Sequence, residues 1–214
     1  LQNVIYLVDA MSDCIIRNEV PFCELDSHAG DGDFGMSVAK GFRCLKEQWQ
    51  SILAGSDTIG SFLDQSSLVI MEHCGGASGP IWGSAFRADS RSAGQKTVLS
   101  AEETAELLQA AVRGIQTTGE RSFGRGAVVG DKTLIDALVP FADTWSRLAP
   151  TGALIPEIAR EAAKAAVLGA AATEKIVARM GRAGTVGERS LGYPDAGAYA
   201  LGVIFTACAD CLQG

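Results

Sequence analysis

Residues 24–35 read Glu-Leu-Asp-Ser-His-Ala-Gly-Asp-Gly-Asp-Phe-Gly. The stretch holds three aspartates, Asp26, Asp31 and Asp33, here called the aspartate cluster, and its glycines predict a loop. Carboxylates so close together repel one another unless a cation lies between them, and Mg²⁺ prefers oxygen ligands of this kind. In the alternative interpretation, Asp33 caps a helix while the other two carboxylates are solvated. Taken alone, the stretch slightly favours the helix cap.

On either side of this loop, apolar residues recur with the helical period and predict an all-α fold of eight helices, because strand patterns are almost absent. The first helix contains the stripe from Val4 to Ile15, the second runs from the aspartate loop to Trp49, the third spans about Thr58 to Glu72, and the fourth follows the glycines at 75–79. The fifth opens with a capping box at Ser100, the sixth starts at about Asp131 with a kink at Pro140, the seventh spans Pro156 to Met180, and the eighth spans Asp195 to Cys211.

Composition predicts one globular domain over residues 1–214 in the cytoplasm. Apolar residues make up 47% of the chain, which suffices for one core. A net charge of −7 argues against a nucleic-acid or anionic-membrane surface. No apolar run is long enough to cross a bilayer, and the first residues lack the basic region of a signal peptide. The six scattered cysteines are expected to be free thiols, although Cys208 and Cys211 have the CxxC spacing.

Four connections, each standing just before a predicted helix, carry unusual glycine, aspartate or basic content: 30–35, 75–79, 124–132 and 181–197. Helix N-termini expose free N–H groups and suit anions. If the eight helices run up and down, the loops that enter helices two, four, six and eight share one rim. Phosphoryl transfer needs positioning and charge neutralisation above all. The four loops together therefore predict a magnesium–nucleotide site at one rim.

Plainer interpretations remain open for the loops beyond the aspartate cluster. The turn around Ser78 either binds phosphate or only connects two helices, and it lacks the Walker pattern. Lys132 and Thr133 either touch the nucleotide, or Asp131 caps helix six while Lys132 is solvated. Asp136 is either a hydrogen-bond acceptor behind the site or a surface charge.

The last of the four loops carries two arginines. Arg182 and Arg189 suggest a lid that closes over phosphates, and the alternative is a flexible connection with solvated side chains. For His28 and His73 we expect structural or surface roles.

Four motifs occur in this order: Gly-Asp-Gly-Asp-Phe-Gly, Gly-Gly-Ala-Ser-Gly-Pro, Gly-Asp-Lys-Thr-Leu-Ile-Asp-Ala-Leu and Gly-Arg-Ala-Gly-Thr-Val-Gly-Glu-Arg-Ser-Leu-Gly. As a set they resemble the nucleotide-binding L subunit, or L domain, of the dihydroxyacetone kinase family over nearly the whole chain. The resemblance implies a closed barrel of eight antiparallel helices with the nucleotide site at one rim. It also implies ATP or ADP with two Mg²⁺ ions as cofactors.

The resemblance further implies roles for individual residues. The aspartate cluster is expected to hold both Mg²⁺ ions, and with Arg182 to serve catalysis. Nucleotide contacts are expected from Phe34, Gly35, Met36, Ser37, Gly76, Ala77, Ser78, Gly124, Gly126, Thr133, Leu134, Arg182, Asp195, Ala196 and Gly197. Phe34 and Ser37 stand where the family commonly has His and often has Asn, which puts contacts to the phosphates or the preferred substrate in question.

The resemblance implies a partner as well. In the family a separate K subunit or domain binds dihydroxyacetone or a related small ketose, and nothing in this chain matches that half. We therefore expect a glycerone kinase component of glycerol metabolism that is active only with a K partner. The alternatives are a subunit with permanently bound ADP that is recharged by a phosphotransferase-system protein, a nucleotide-bound regulator of a transcription factor, and a helical metal-binding protein without nucleotide. We also consider a homodimer as the oligomeric state of this chain.

Overall fold

The computed structural model describes residues 1–212, and within that range the regular structure is helical, without a strand. Ten α-helices alternate with loops and short 3₁₀ turns. Their bounds are α1 Gln2–Arg17, α2 Glu19–Asp26, α3 Phe34–Glu47, α4 Trp49–Ala54, α5 Ile59–His73, α6 Ser78–Ala93, α7 Ala101–Phe123, α8 Ile135–Leu148, α9 Ile155–Ala172 and α10 Ala196–Cys211.

Eight of these helices are long and form a closed ring in chain order. α1 packs on α3, α3 on α5, and each later helix packs on the next as far as α10, which packs back on α1. The two short helices, α2 and α4, lie outside this series and contact α3 and α5. The predicted all-α barrel of eight helices is confirmed, whereas the two short helices were not predicted.

Hydrogen bonds at one rim show that neighbouring helices run in opposite directions. The N–H of Ile59, where α5 begins, donates to the carbonyl of Lys96, just beyond the end of α6, at 2.9 Å. The indole Nε1–H of Trp145, near the end of α8, donates to the carbonyl of Ala101, where α7 begins, at 3.0 Å. Helices α5 and α7 therefore start at the rim where α6 and α8 end, and α3, α6, α8 and α10 start at the opposite rim.

Local signals explain two of the helix starts at the first of these rims. Thr58 and Ser61 form one capping box at α5, and Ser100 and Glu103 form the predicted capping box at α7. These side chains satisfy N–H groups that the helix itself leaves without acceptors. The boxes fix where α5 and α7 begin.

Three helix bounds differ from the prediction. α3 ends at Glu47 and not at Trp49, because the chain leaves the helix at Gln48 and Trp49 begins α4. α8 starts at Ile135 and not at Asp131, because residues 130–133 form a loop in which the N–H groups of Gly130 and Thr133 donate to the Asp136 carboxylate. α9 ends at Ala172 and not at Met180, because the chain turns into a 3₁₀ turn at Thr173. Helix α8 continues through Pro140.

Small residues let neighbouring helices approach closely, as the alanine-rich sequence of α9 predicts. A Cβ on Gly169 in α9 would lie 2.1 Å from the carbonyl oxygen of Asp136 in α8. Inside the barrel, an apolar cavity of about 500 Å³ is lined by Trp82, Phe86, Phe141 and Phe205, among others. In the described part of the chain the six cysteines are free thiols, as predicted, and no helix there is both long and apolar enough to cross a membrane.

Candidate metal and nucleotide site

The aspartate cluster lies where α2 ends and α3 begins. Asp26 is the last residue of α2, and Asp33 immediately precedes α3. One carboxylate oxygen from each of Asp26, Asp31 and Asp33 lies within 4.8 Å of the others. Three hard oxygen donors this close together fit a divalent cation such as Mg²⁺. The chemistry of the donor set therefore agrees with the predicted metal site.

The helix-cap interpretation of Asp33 is wrong. Within residues 1–212 its carboxylate makes no capping hydrogen bond to the first turn of α3. Only its backbone carbonyl joins the helix, by accepting from the N–H of Ser37 at 2.8 Å. The Asp33 side chain is consequently available to a ligand.

The glycines of the loop are required by the position of Asp26. Gly32 has a φ of 76°, in the left-handed region, and its N–H donates to Oδ2 of Asp26 at 2.9 Å. A Cβ on Gly30 would lie 2.2 Å from Oδ1 of the same carboxylate. The backbone thus folds around Asp26 and orients it toward the other two aspartates.

Residues 177–194, here called the lid, touch the aspartate loop at two points. The guanidinium of Arg182 forms an ion pair with the carboxylate of Asp31. The ring of Tyr193 stacks on that of His28, with 3.7 Å between the centroids and 6° between the planes. Arg182 therefore stands beside the aspartate cluster, and both Arg182 and Arg189 are exposed. Closure of this segment over phosphates stays a prediction.

The turn before α6 lies against the start of α3. The N–H of Gly75 donates to the carbonyl of Ser37 at 3.2 Å, and a Cβ on Gly75 would lie 2.7 Å from the Ser37 hydroxyl. Gly76 and Ala77 are exposed, and no atom lies within 4 Å of the place where a Gly76 Cβ would stand. The backbone of this turn is thus open to a ligand, which suits the phosphate interpretation.

The loop between α7 and α8 uses its charged residues differently from the prediction. Asp131 does not cap α8; its buried carboxylate accepts two hydrogen bonds from Arg125, at 2.5 and 2.9 Å. The Arg125 guanidinium lowers the pKa of Asp131 below its ordinary value. Asp136 fixes the start of α8, accepting from the N–H groups of Gly130 at 2.6 Å and Thr133 at 2.8 Å. Asp136 is buried, so its interpretation as a surface charge is wrong.

Lys132 was expected either to touch the nucleotide or to be solvated, and the structure shows neither. It is 2% exposed, so it is not solvated, and its Nζ donates to four backbone carbonyls. The neighbouring Thr133 accepts from the N–H of Ile135 through its hydroxyl, at 3.2 Å. The ammonium of Lys132 is committed to the protein, and a contact with phosphate is excluded for this arrangement.

Asp195 caps α10 through Oδ2, which accepts from the N–H of Ala198 at 2.8 Å. Burial is the main cause that raises the pKa of Asp195 to about 7, and the carboxylates of Asp136 and Asp26 also raise this pKa. The hydrogen bond from Ala198 and the charge of Lys132 lower it. A Cβ on Gly197 in α10 would lie 3.1 Å from that of Leu134 before α8, and the ring of Tyr199 in α10 lies 6.4 Å from that of Phe22 in α2. The starts of α8 and α10 therefore lie at the same rim as the aspartate cluster. Ala196 and Gly197 form the first turn of α10 there.

The remaining predicted residues take varied positions around this rim. Phe34 packs its ring on Phe22, with centroids 6.2 Å apart, so its side chain turns toward the core. Leu134 lies beside Gly197, since a Cβ on that glycine would be 3.1 Å from the leucine Cβ. Gly124 ends α7 in the left-handed conformation, with a φ of 78°. Met36 is exposed, Gly126 lies in the loop between α7 and α8, and Ser78 is the first residue of α6. Their contacts with a nucleotide stay predictions.

Two contacts beside the aspartate cluster were not predicted from the sequence. His28 and Tyr193 stack although 165 positions separate them, and no local pattern marks such a pair. The thiol of Cys23 accepts from the N–H of Met36 at 3.2 Å in the first turn of α3. The one signal in the sequence for this second contact was that Cys23 stands three residues before Asp26.

Comparison with known proteins follows this geometry. Residues 28–210 match the model of the DAK2 domain. The chain is 31% identical over 206 residues to an L-erythrulose kinase of Pectobacterium atrosepticum, covering 96% of this chain and 34% of that protein. It is 32% identical over 173 residues to the PEP-dependent dihydroxyacetone kinase 2, ADP-binding subunit DhaL, of Listeria innocua, covering 81% of this chain and 77% of that subunit. The chain thus spans about a third of the erythrulose kinase's length.

Solved structures show the same fold. The native dihydroxyacetone kinase of C. freundii matches with a TM-score of 0.74 and 23% identity, over 99% of this chain and 34% of that chain. The same kinase in complex with AMP-PNP and Mg²⁺ matches with a TM-score of 0.69. The all-helical barrel is therefore shared with one portion of a longer chain.

Proposed function

The chain belongs to the DAK2 domain family, and from this premise we propose that it is the nucleotide-binding component of a kinase that acts on dihydroxyacetone or a related small ketose, such as a tetrulose. One observation carries the proposal: the aspartate cluster, the lid arginine and the starts of α3, α6, α8 and α10 meet at one rim. Relatives named as an ADP-binding subunit and as erythrulose kinases support it.

The proposed cofactors are ATP or ADP with two Mg²⁺ ions held by the aspartate cluster. Bound Mg²⁺ would offset the negative charge of the phosphates during phosphoryl transfer. The chain itself contributes the positive ends of four helix dipoles at this rim, and open backbone at Gly76 and Ala77. Arg182 contributes a guanidinium that already reaches the cluster. Together these groups would position the phosphates and hold them away from water.

The acceptor ketose is proposed to bind on a K subunit or domain outside this chain, in the cytoplasm. The chain spans about a third of the erythrulose kinases that it matches, so the whole enzyme's activity needs more than these residues. Relatives are named both as kinases and as PEP-dependent or PTS-dependent ADP-binding subunits. Two donor schemes follow. Rapid loss of ADP on dialysis would indicate exchange with ATP, and retention of one ADP per chain would indicate recharging by a phosphotransferase-system protein.

Thermal unfolding with ADP and Mg²⁺ tests the proposal. A ligand at 100 times its Kd stabilises the native state by about 2.7 kcal/mol, which for a chain of this size raises Tm by roughly 5–10 °C. Asp31→Asn and Asp33→Asn should remove most of this shift, since a neutral amide offsets less of the cation's charge.

The matched control for these variants is Asp57→Asn, an exposed aspartate before α5 at the opposite rim. It should keep the full shift. Absence of any shift at millimolar ADP and Mg²⁺ in the parent protein, or a full shift in both cluster variants, would contradict the proposal.

A further inference from the structure

Lys132 binds backbone atoms from two distant segments of the chain. Its Nζ donates to the carbonyls of Thr173 at 2.7 Å, Tyr193 at 2.8 Å and Ile176 at 3.2 Å, and also to that of Ser190. An ammonium has three hydrogens, so four acceptors saturate it. No donor of Lys132 is left for a ligand.

These four carbonyls lie at the two ends of the lid. Thr173 and Ile176 precede residues 177–194, while Ser190 and Tyr193 lie near the lid's end. Lys132 therefore joins the segment that enters the lid to the segment that leaves it. This junction, at residues 173–178 and 190–195, is here called the neck of the lid.

Further bonds close the neck around the lysine. The N–H of Gly192 donates to the carbonyl of Glu174 at 2.9 Å, and the N–H of Ala178 donates to the Ser190 hydroxyl at 2.9 Å. The N–H of Arg179 donates to the carbonyl of Asp131, next to Lys132, at 3.0 Å. The loop that carries Lys132 thus holds the neck through its backbone as well.

The conformation of Lys132 is costly by itself. Its φ of 62° lies in the left-handed region, where in residues 1–212 it is the one residue other than glycine. Burial lowers the pKa of its ammonium, and the carboxylates of Asp195, Glu174 and Asp136 oppose that effect. Strain and a buried charge persist where surrounding structure enforces them, and they concentrate at functional sites.

The lid carries the two groups that reach the aspartate loop. Arg182, within the lid, pairs with Asp31, and Tyr193, which belongs to the neck, stacks on His28. Lys132 binds the backbone carbonyl of Tyr193, and the ring of the same tyrosine stacks on His28 in the aspartate loop. A movement of the neck would shift both contacts together.

We propose that Lys132 is a positioning residue that fixes the neck of the lid, keeps Arg182 at the aspartate cluster, and thereby determines how long a bound nucleotide is retained. Lys132 acts through Arg182 and does not touch the nucleotide. The retention part rests on the proposed function, whereas the fixing of the lid does not.

The test compares Lys132→Met with Lys175→Met, which removes the same charge from an exposed lysine in the same segment. The first readout uses no ligand: trypsin cleavage after Arg182 and Arg189, followed by mass spectrometry. Loss of several hydrogen bonds to a charged group should raise the population of the open lid, and so the cleavage rate, at least about tenfold in Lys132→Met. Lys175→Met should be cleaved at the parent rate.

The second readout is the release of a fluorescent ADP analogue, with Mg²⁺ present and excess ADP as chase. Lys132→Met should release it at least about tenfold faster with a nearly unchanged association rate. Partial unfolding alone would lower the amount bound and leave the release rate unchanged. In the double variant with Arg182→Ala, the Lys132 change should add little, since both act through one contact.

Parent-like cleavage and release in a folded Lys132→Met would overturn the proposal, and additive effects with Arg182→Ala would overturn the route through Arg182. If circular dichroism shows that Lys132→Met does not fold, Lys132→Gln takes its place, because its amide still donates two hydrogen bonds. Its changes should be smaller and in the same direction, and parent-like values again refute the idea. If the parent protein binds no ADP, the proposed function fails, while the cleavage result still decides whether Lys132 fixes the lid.

Discussion

Gly35 lies in the first turn of α3, at the point where α3 contacts α2. A Cβ on Gly35 would lie 2.0 Å from the carbonyl oxygen of Glu19 and 2.9 Å from the backbone nitrogen of Cys23. Real Cβ atoms do not approach other atoms closer than 3.0 Å, so Gly35→Ala must move the two helices apart by 1.0 Å or more. The atoms in the way belong to the backbone, and no rotamer change can relieve the contact.

The magnitude follows from this displacement. Forcing an extra carbon into a packed contact costs about 1–3 kcal/mol, and the better helix propensity of alanine returns at most about 1 kcal/mol. We therefore expect the free energy of unfolding to fall by about 1–2 kcal/mol. Asp26 stands at the end of α2 and moves with it, so the cluster loses its spacing. Since Mg²⁺ demands near-ideal ligand distances, its affinity should fall about 10- to 100-fold.

Urea unfolding measures the free energy of unfolding, and isothermal titration calorimetry with Mg²⁺ measures the affinity for the metal. Gly119→Ala is the matched control, because Gly119 lies inside α7 and its Cβ would be 3.4 Å from the nearest atom, an ordinary contact. The control should be unchanged or up to about 1 kcal/mol more stable, with parent-like Mg²⁺ affinity. If Gly35→Ala matches the control in both assays, the close approach of α2 and α3 does not hold the cluster.

Three further predictions concern other parts of the barrel. Asp89 faces the apolar cavity, and in the described chain its Oδ1 has no hydrogen-bond partner, so burial holds its pKa well above the usual range. A raised pKa in an acid means that stability falls as pH rises above the unfolded pKa. Asp89→Asn should therefore raise Tm at pH 7.5 and change it little at pH 3, below the unfolded pKa, in scanning calorimetry. Arg125 lowers the pKa of Asp131, so its contribution to stability is present above the unfolded pKa and is lost in acid. Arg125→Met should lower Tm at pH 7, and the two Tm values should converge as the pH falls through the lowered pKa of Asp131. Ser100→Ala removes the cap of α7 and should cost about 1 kcal/mol in urea unfolding, without changing ADP binding at the opposite rim.

The long helices could be predicted because each one repeats its apolar positions over several turns. The helices α2 and α4 could not, because 8 and 6 residues hold too few turns for a period to be seen. The end of α9 was missed for another reason. Its alanine-rich sequence favours a helix past Ala172, but there the chain turns and supplies the carbonyls of Thr173 and Ile176 to Lys132, 41 and 44 positions away.

The meeting of four helix starts at one rim could be predicted because it depends only on the order of the helices. Alternating directions place the entries of α3, α6, α8 and α10 at one rim, whatever the side chains do. The roles of single charges in residues 131–136 could not be predicted. Asp131 and Asp136 are both acids beside a helix start, and only the backbone decides that Asp136 faces the N–H groups of Gly130 and Thr133 while Asp131 faces Arg125.

The balance of charge at this rim explains why an anionic ligand would need a metal ion. The aspartate cluster brings three carboxylates and Asp136 adds a fourth, while Asp195, whose pKa burial raises to about 7, is only partly ionised at neutral pH. Against these stand Arg182, which pairs with the cluster, and Lys132, whose ammonium is used up by four carbonyls. Helix dipoles offset part of the difference, each contributing about half an elementary charge at its N-terminus. These groups leave an excess of negative charge at the rim, and a nucleoside diphosphate that entered without a metal ion would add to it. Under the proposed function, binding of the phosphates would therefore depend on the divalent cation, with Arg182 as the lid side chain that pairs with the cluster.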